Sequence, residues 1–186
     1  MSTSPLPPGQ REVAQMPVRH IGEPPPFDGS GWSLTLAGEL ERPRVFSLAE
    51  LRELSTVDIE ADFHAASGWS VRRLLWRGAR LCDVLAAAGL RPSARALRAS
   101  DGQRYDSALA LADALEPDVL LATSLGGEPL RLEPGGPLRL VVPARYGWKS
   151  VKWLRALEVH PEERPGFWER RGFHPRGDPW REERLS

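Results

Sequence analysis

Proline and glycine interrupt this 186-residue chain so often that few stretches are long enough for an extended helix. Eighteen prolines and 17 glycines are spread from one end to the other. Proline removes a backbone donor, and glycine in an element interior carries the largest backbone entropy cost. The expected fold is therefore loop-rich α+β rather than a helix bundle. Apolar residues make up 41% and charged residues 27%, enough for one soluble domain with a core. The formal net charge of zero argues against a general nucleic-acid or membrane-surface binder. No apolar run approaches the roughly 18 residues that a membrane-spanning helix needs. Met1 to Gln15 lacks the apolar stretch of a secretory signal. One cysteine, Cys82, excludes an internal disulfide and any centre built on several thiolates, and it fits a reducing cytoplasm.

Along the chain, residues 1–31 hold seven prolines and read as an extended arm, with residues 32–186 as a single domain and its wrapping tail. Trp32 to Gly38 alternates apolar and polar, as a strand does. Ser47 and Glu50 form a capping box that opens a helix over 48–54. Val57 to Phe63 reads as a second strand running into a small-residue loop, His64-Ala65-Ala66-Ser67-Gly68-Trp69-Ser70. Arg80 to Ala88 has a helical apolar face with Gly89 as its C-cap. A hairpin is expected around Asp101-Gly102, between 94–100 and 104–107, then a short helix over 109–115. Segments 118–125 and 138–142 read as strands, and 151–160 as a last strand. The tail from Pro161 is proline-broken, and its aromatics are expected to pin it onto the domain.

Of the 25 basic residues, 23 are arginine, and the two lysines, Lys149 and Lys152, stand three residues apart. Between Arg139 and Trp153 the chain packs four cations, Ser150 and three aromatic rings. Lysine, serine and backbone amides beside a glycine are phosphate-holding chemistry, whereas ordinary surface lysines would fall together only by chance. Interleaved cations and rings also suit single-stranded nucleic acid, a reading that the zero net charge disfavours. The four histidines, His20, His64, His160 and His174, lack metal-site spacing, and no Walker, dinucleotide or nucleophile-elbow motif occurs. Arg72, Arg73 and Arg145 are candidate anion attractors or plain surface cations.

The run Gly136-Pro137-Leu138-Arg139-Leu140-Val141-Val142-Pro143, followed by Gly147-Trp148-Lys149-Ser150-Val151-Lys152-Trp153, resembles the molybdopterin-binding domain of the sulfite oxidase family. Asp62-Phe63-His64, Gly68-Trp69-Ser70, Gly126-Gly127-Glu128-Pro129-Leu130 and Pro165-Gly166-Phe167-Trp168-Glu169 extend the likeness, in order, to the compact bacterial members. The resemblance implies a mixed, β-rich α+β fold, a molybdenum–molybdopterin cofactor and two-electron or oxygen-atom chemistry on a small, sulfur-containing substrate. It also implies a separate electron-transfer partner. By position it places Arg139, Ser150, Val151 and Lys152 at the pterin and its phosphate. Ser100 or Asp101 would meet the cofactor from the hairpin, and Arg19 and His20 from the arm.

Two departures stand out. The family's metal-ligating cysteine falls at Ala65, with His64 adjoining it and Ser67 as the nearest hydroxyl that could take its place. The position five before Arg139, a cofactor contact in the family, is Pro134. Cys82 lies 17 positions beyond Ala65 on an expected helix and is not expected to reach it. Ala65 therefore opens an alternative, a pseudoenzyme that keeps the fold as a cofactor- or partner-binding module.

Overall fold

A computed structural model describes residues 5–27 and 30–186. Residues 1–4 and 28–29 of the expected arm lie outside that description. The fold is α+β, with two sheets and three short α-helices among the described residues. One sheet holds β1 (Arg11–Glu12), β4 (Thr56–Ala65), β5 (Trp69–Arg80), β8 (Leu120–Leu125), β9 (Glu128–Pro129) and β10 (Arg139–Val141). The other runs in the order β3 (Arg44–Ser47), β2 (Ser33–Gly38), β11 (Ala156–His160), β6 (Ala96–Ser100), β7 (Asp106–Ala110). The helices are α1 (Leu48–Glu53), α2 (Leu81–Ala88) and α3 (Leu111–Ala114).

The capping box at Ser47 and Glu50 is present, with each side chain bonded to the other's backbone N–H. Gly89 closes α2 with a positive φ of 74°, which a side chain would strain. The strand expected over 151–160 begins only at Ala156. Residues 150–155 are irregular, because Leu140 N–H bonds the Val151 carbonyl while Trp153 N–H reaches back to Gly135. The helix expected over 109–115 is confined to α3, since residues 106–110 continue as strand against β6.

The loop expected after Phe63 is instead a tight hairpin. β4 continues through Ala65, the chain turns over Ala66 to Gly68, and β5 begins at Trp69. Gly68 N–H bonds the Ala65 carbonyl at 3.0 Å and takes φ = +87°. A bulge lies between Ala61 and Phe63, where the Asp62 carboxylate accepts the Arg73 backbone N–H at 2.9 Å. Such an insertion bends a strand and re-aims the residues beyond it, here Phe63 to Ala65. Strand β5 changes partner along one edge, pairing with β1 at its start and with β8 at its end.

The main core is built from Leu34, Leu36, Leu85, Leu97, Leu140 and Leu157 with their neighbours. A second cluster, with Phe63, Trp69, Trp76 and Val141, lies under the hairpin end of β4 and β5. Burying one such large side chain contributes about 1.5–3 kcal/mol before ordering costs. The tail is held by rings, with Trp168 against Phe173 and Phe173 edge-on to Trp148. No helix among the described residues is long and apolar enough to cross a membrane.

Candidate functional site

A cavity of about 900 Å³ opens where the hairpin end of β4 and β5 meets the segment 139–153, the arm segment 16–21 and the C-terminal tail. Its size and its largely apolar lining with a few convergent polar groups are those of a small-molecule or cofactor site.

Arg139 provides the first fixed charge. It stands on β10, is 1% exposed, and its guanidinium donates to the carbonyls of Pro134 (2.6 Å) and Ser150 (3.1 Å). The Phe63 and Trp76 rings lie 5.4 and 5.2 Å from its Cζ. Burial pulls its pKa down to about 10, so it remains a cation at neutral pH. Pro134 lacks an N–H, but its carbonyl is what aims the guanidinium.

Lys152 stands beside it. Its Nζ donates to the carbonyls of Arg19 (2.8 Å) and Glu133 (3.2 Å). Burial, and secondarily the Arg139 charge, lower its pKa to about 8. Among the described residues neither Arg139 nor Lys152 has a carboxylate partner: carbonyls and ring faces surround both. Gly135, at φ = +113°, lets the backbone pass against the Lys152 stem, where an added Cβ would stand 2.8 Å from its Cγ. Ser150 also lines the cavity, and its Oγ accepts the Val142 N–H at 3.0 Å. From the arm, Arg19 and His20 reach the same wall, with the His20 ring edge-on to Trp153 at 5.2 Å. Asp101 joins them, its Oδ1 accepting the N–H groups of Gln103, Arg104 and Tyr105.

Ala65, Ala66 and Ser67 form a second wall. The turn is held by a chain of hydrogen bonds. Ser70 Oγ donates to Gln10 Oε1 at 3.0 Å, and Gln10 Nε2 donates to the Ala65 carbonyl at 3.1 Å. His64 Nδ1 lies 2.7 Å from Ser70 Oγ; with the serine hydrogen already given to Gln10, this contact uses an Nδ1–H of neutral histidine. Burial lowers the His64 pKa and favours that neutral form. His64 is thus a positioning group behind the turn, and it does not line the cavity.

Val151, Ser100 and Lys149 lie off the cavity lining. Val151 packs its side chain in the main core, and only its carbonyl is engaged, by Leu140 N–H. Ser100 ends β6 with its carbonyl bonded to Arg155 N–H and stands outside the cavity lining, which its neighbour Asp101 enters. Lys149 points inward to Glu169 and the Ala108 carbonyl, away from the cavity. Arg72, Arg73 and Arg145 are each paired with a carboxylate, Glu12, Glu60 and Asp113 respectively. Cys82 lies on α2, bonded weakly to Asp83, away from this lining.

The other side of the cavity, made by Tyr105, Trp148, Trp168, Phe173 and Arg184, was not foreseen from sequence. The signal was the density of aromatics in the tail, but nothing in their spacing tells which cavity they wall.

The two unneutralised cations fit an anionic, phosphate-bearing cofactor, and the cavity fits its bulk. The described residues offer no cluster of three metal-ligating side chains, and the turn at Ala65 offers no thiolate. The residues present therefore fit the phosphate-bearing, organic part of such a cofactor and supply no thiolate at Ala65.

Comparison with known proteins agrees. A profile for the oxidoreductase molybdopterin binding domain matches residues 20–168. The chain is 37% identical over 182 residues to the uncharacterized oxidoreductase YuiH of Bacillus subtilis (strain 168), covering 97% of this chain and 92% of that protein. It is 30% identical over 177 residues to the sulfite oxidase of Arabidopsis thaliana, covering 76% of this chain but 45% of that relative. The sulfane dehydrogenase SoxCD from Paracoccus pantotrophus shares the fold, with a TM-score of 0.71 and 24% identity over 88% of this chain and 49% of that one. A matching profile over most of its length and a relative aligned nearly end to end place this chain in the oxidoreductase molybdopterin-binding domain family, as a domain of sulfite oxidase type.

Proposed function

We propose that this chain is a molybdenum–molybdopterin-dependent oxidoreductase that exchanges two electrons and an oxygen atom with a small substrate and passes the electrons to a separate protein. The observation that carries the reading is the pair Arg139 and Lys152, two cations on one cavity whose described partners are carbonyls and ring faces. Buried charge without a counter-charge is costly, and a phosphate would supply that counter-charge.

Arg139, locked by two carbonyls, would act as the fixed half of the clamp, and Lys152, on a flexible stem, as the half that adjusts. Ser150, Arg19, His20 and Asp101 would meet the pterin's polar edge. When bound, the cofactor supplies the two-electron redox centre. The chain's own residues orient it, exclude water through Phe63 and Trp69, and fix the Ala65 turn through Gln10, Ser70 and His64. Without a thiolate from position 65, a metal held here would differ in its electronics from a thiolate-ligated centre, because ligand type tunes them. The sequence carries no haem, flavin or iron–sulfur motif, which supports an external electron partner. A lone cysteine supports a reducing, cytoplasmic setting.

Ala65 favours a second reading, in which the domain holds the cofactor or a partner without the family's chemistry. Protein purified with its cofactor and supplied with artificial electron donors and acceptors separates the two. Two-electron exchange with sulfite or with organic sulfoxides supports the enzyme. A fully loaded protein inert to both, in either direction, supports the binding module.

A further inference from the structure

We infer that the substrate of this site is a neutral organic oxo compound carrying an aryl or branched alkyl group, received by Trp148, Trp168 and Phe173, rather than a small inorganic oxyanion. The inference rests on the oxidoreductase reading above and names its substrate class.

The cavity lining divides into two groups by contact. Arg139, Lys152, Arg19 and His20 gather around Trp153 and Phe63. Trp148, Trp168 and Phe173 form the other group, with Trp148 to Phe173 at 5.1 Å and Trp168 to Phe173 at 4.8 Å between ring centroids. The second group continues outward to Leu185. Leu185 and Val18 are 67% and 52% exposed, and both border this cavity. Single exposed apolar residues are ordinary, but here two of the five large ones among the described residues border one cavity.

Charge distribution points the same way. The cation that borders the aromatic group, Arg184, is already engaged: its Nε donates to Tyr146 Oη at 3.1 Å, and its guanidinium contacts the Gly9 carbonyl and Glu182. Arg145 nearby is closed onto Asp113 by two hydrogen bonds of 3.0 and 2.6 Å. An inorganic dianion entering by this route would meet ring faces and neutralised arginines, so it would lose its hydration for no unpaired charge. An aryl or branched alkyl group would gain contact with three rings and with Leu185, which is bridged to Phe173.

The test compares methyl phenyl sulfoxide with dimethyl sulfoxide as probes, by saturation-transfer NMR and competition titration on the cofactor-loaded protein. The aryl probe should bind at least tenfold tighter. Leu185→Asp, at an exposed position where folding is not at stake, and Phe173→Ala should each remove most of that preference. Equal affinity for the two probes, or a preference untouched by both substitutions, overturns the inference. Aryl binding to cofactor-free protein that disappears on loading also overturns it, because the pterin itself would then fill the aromatic group. Molybdenum and pterin are measured on the same samples: their absence fails the oxidoreductase reading and this inference with it, whereas a loaded protein without aryl preference fails the inference alone.

Discussion

Lys149 and Glu169 form an ion pair sealed from solvent, with side chains 0% and 4% exposed, and it fastens the C-terminal tail to the segment that carries Trp148 and Ser150. Lys149 also donates to the Ala108 carbonyl at 2.6 Å. Three residues on, Lys152 faces the cavity. The two lysines therefore have separate surroundings, one buried in an ion pair and one lining the cavity.

Removing one partner of a buried pair strands the other, which typically costs about 3–5 kcal/mol. Lys149→Ala is expected to destabilise the protein by about that amount in urea denaturation, because the buried Glu169 side chain is left without its counter-charge. Lys149→Met combined with Glu169→Leu should recover most of the loss. A single variant as stable as the parent would show that the pair does not hold the tail.

Lys152 makes anion binding pH-dependent. Its pKa in the folded, cofactor-free protein is about 8, against an ordinary 10.5. As pH rises through 8 the ammonium loses its proton, so affinity of the cofactor-free protein for molybdopterin should fall. A bound phosphate favours the charged form and moves the midpoint upward. Between 8 and 10.5 the unfolded chain binds more protons than the folded one, so this group makes the empty protein more stable as pH rises across that window. Lys152→Arg should flatten the binding profile over the same range, and an unchanged profile would place the titration elsewhere.

Gly147 permits a close approach between the 3₁₀ turn Gly147–Lys149 and β4. A Cβ at this position would clash with the Phe63 ring at Cζ and Cε1. Gly147→Ala must displace Phe63 from beside the Arg139 guanidinium, at an overpacking cost of about 1–3 kcal/mol. Reduced stability should come with reduced cofactor retention, measured by denaturation and by pterin released per chain. Loss of stability with full retention would separate Phe63 from the site.

Ala65→Cys should introduce a thiolate-to-molybdenum absorption band in loaded protein that the parent lacks, since residue 65 lines the cavity. Identical visible spectra for loaded parent and variant would show that position 65 does not face the metal.

The sequence is informative here wherever physics is local. The capping box at Ser47, the C-cap at Gly89 and the turn at Asp101-Gly102 depend on near neighbours, and all three stand where the residues indicate. Arg139, Ser150 and Lys152 were legible because one short segment carries them all to the cavity. The hidden features depend on distant pairing. β5 is a 12-residue strand whose buried and exposed positions do not alternate regularly, because it changes partner and carries a bulge. The Ala65 turn is held by Gln10, 55 residues away, and no periodicity points to that bond. Trp168 and Phe173 reach the cavity where the Lys149–Glu169 pair and the ring contacts to Trp148 hold the tail against the domain.

Molybdenum and pterin content per chain, in protein purified from molybdenum-replete cells, tests the cofactor clamp most directly. The expected result is close to one molybdenum and one pterin per native chain, falling sharply in Lys152→Ala while thermal stability changes little. A native protein that carries neither molybdenum nor pterin would contradict the assignment of Arg139 and Lys152 as that clamp.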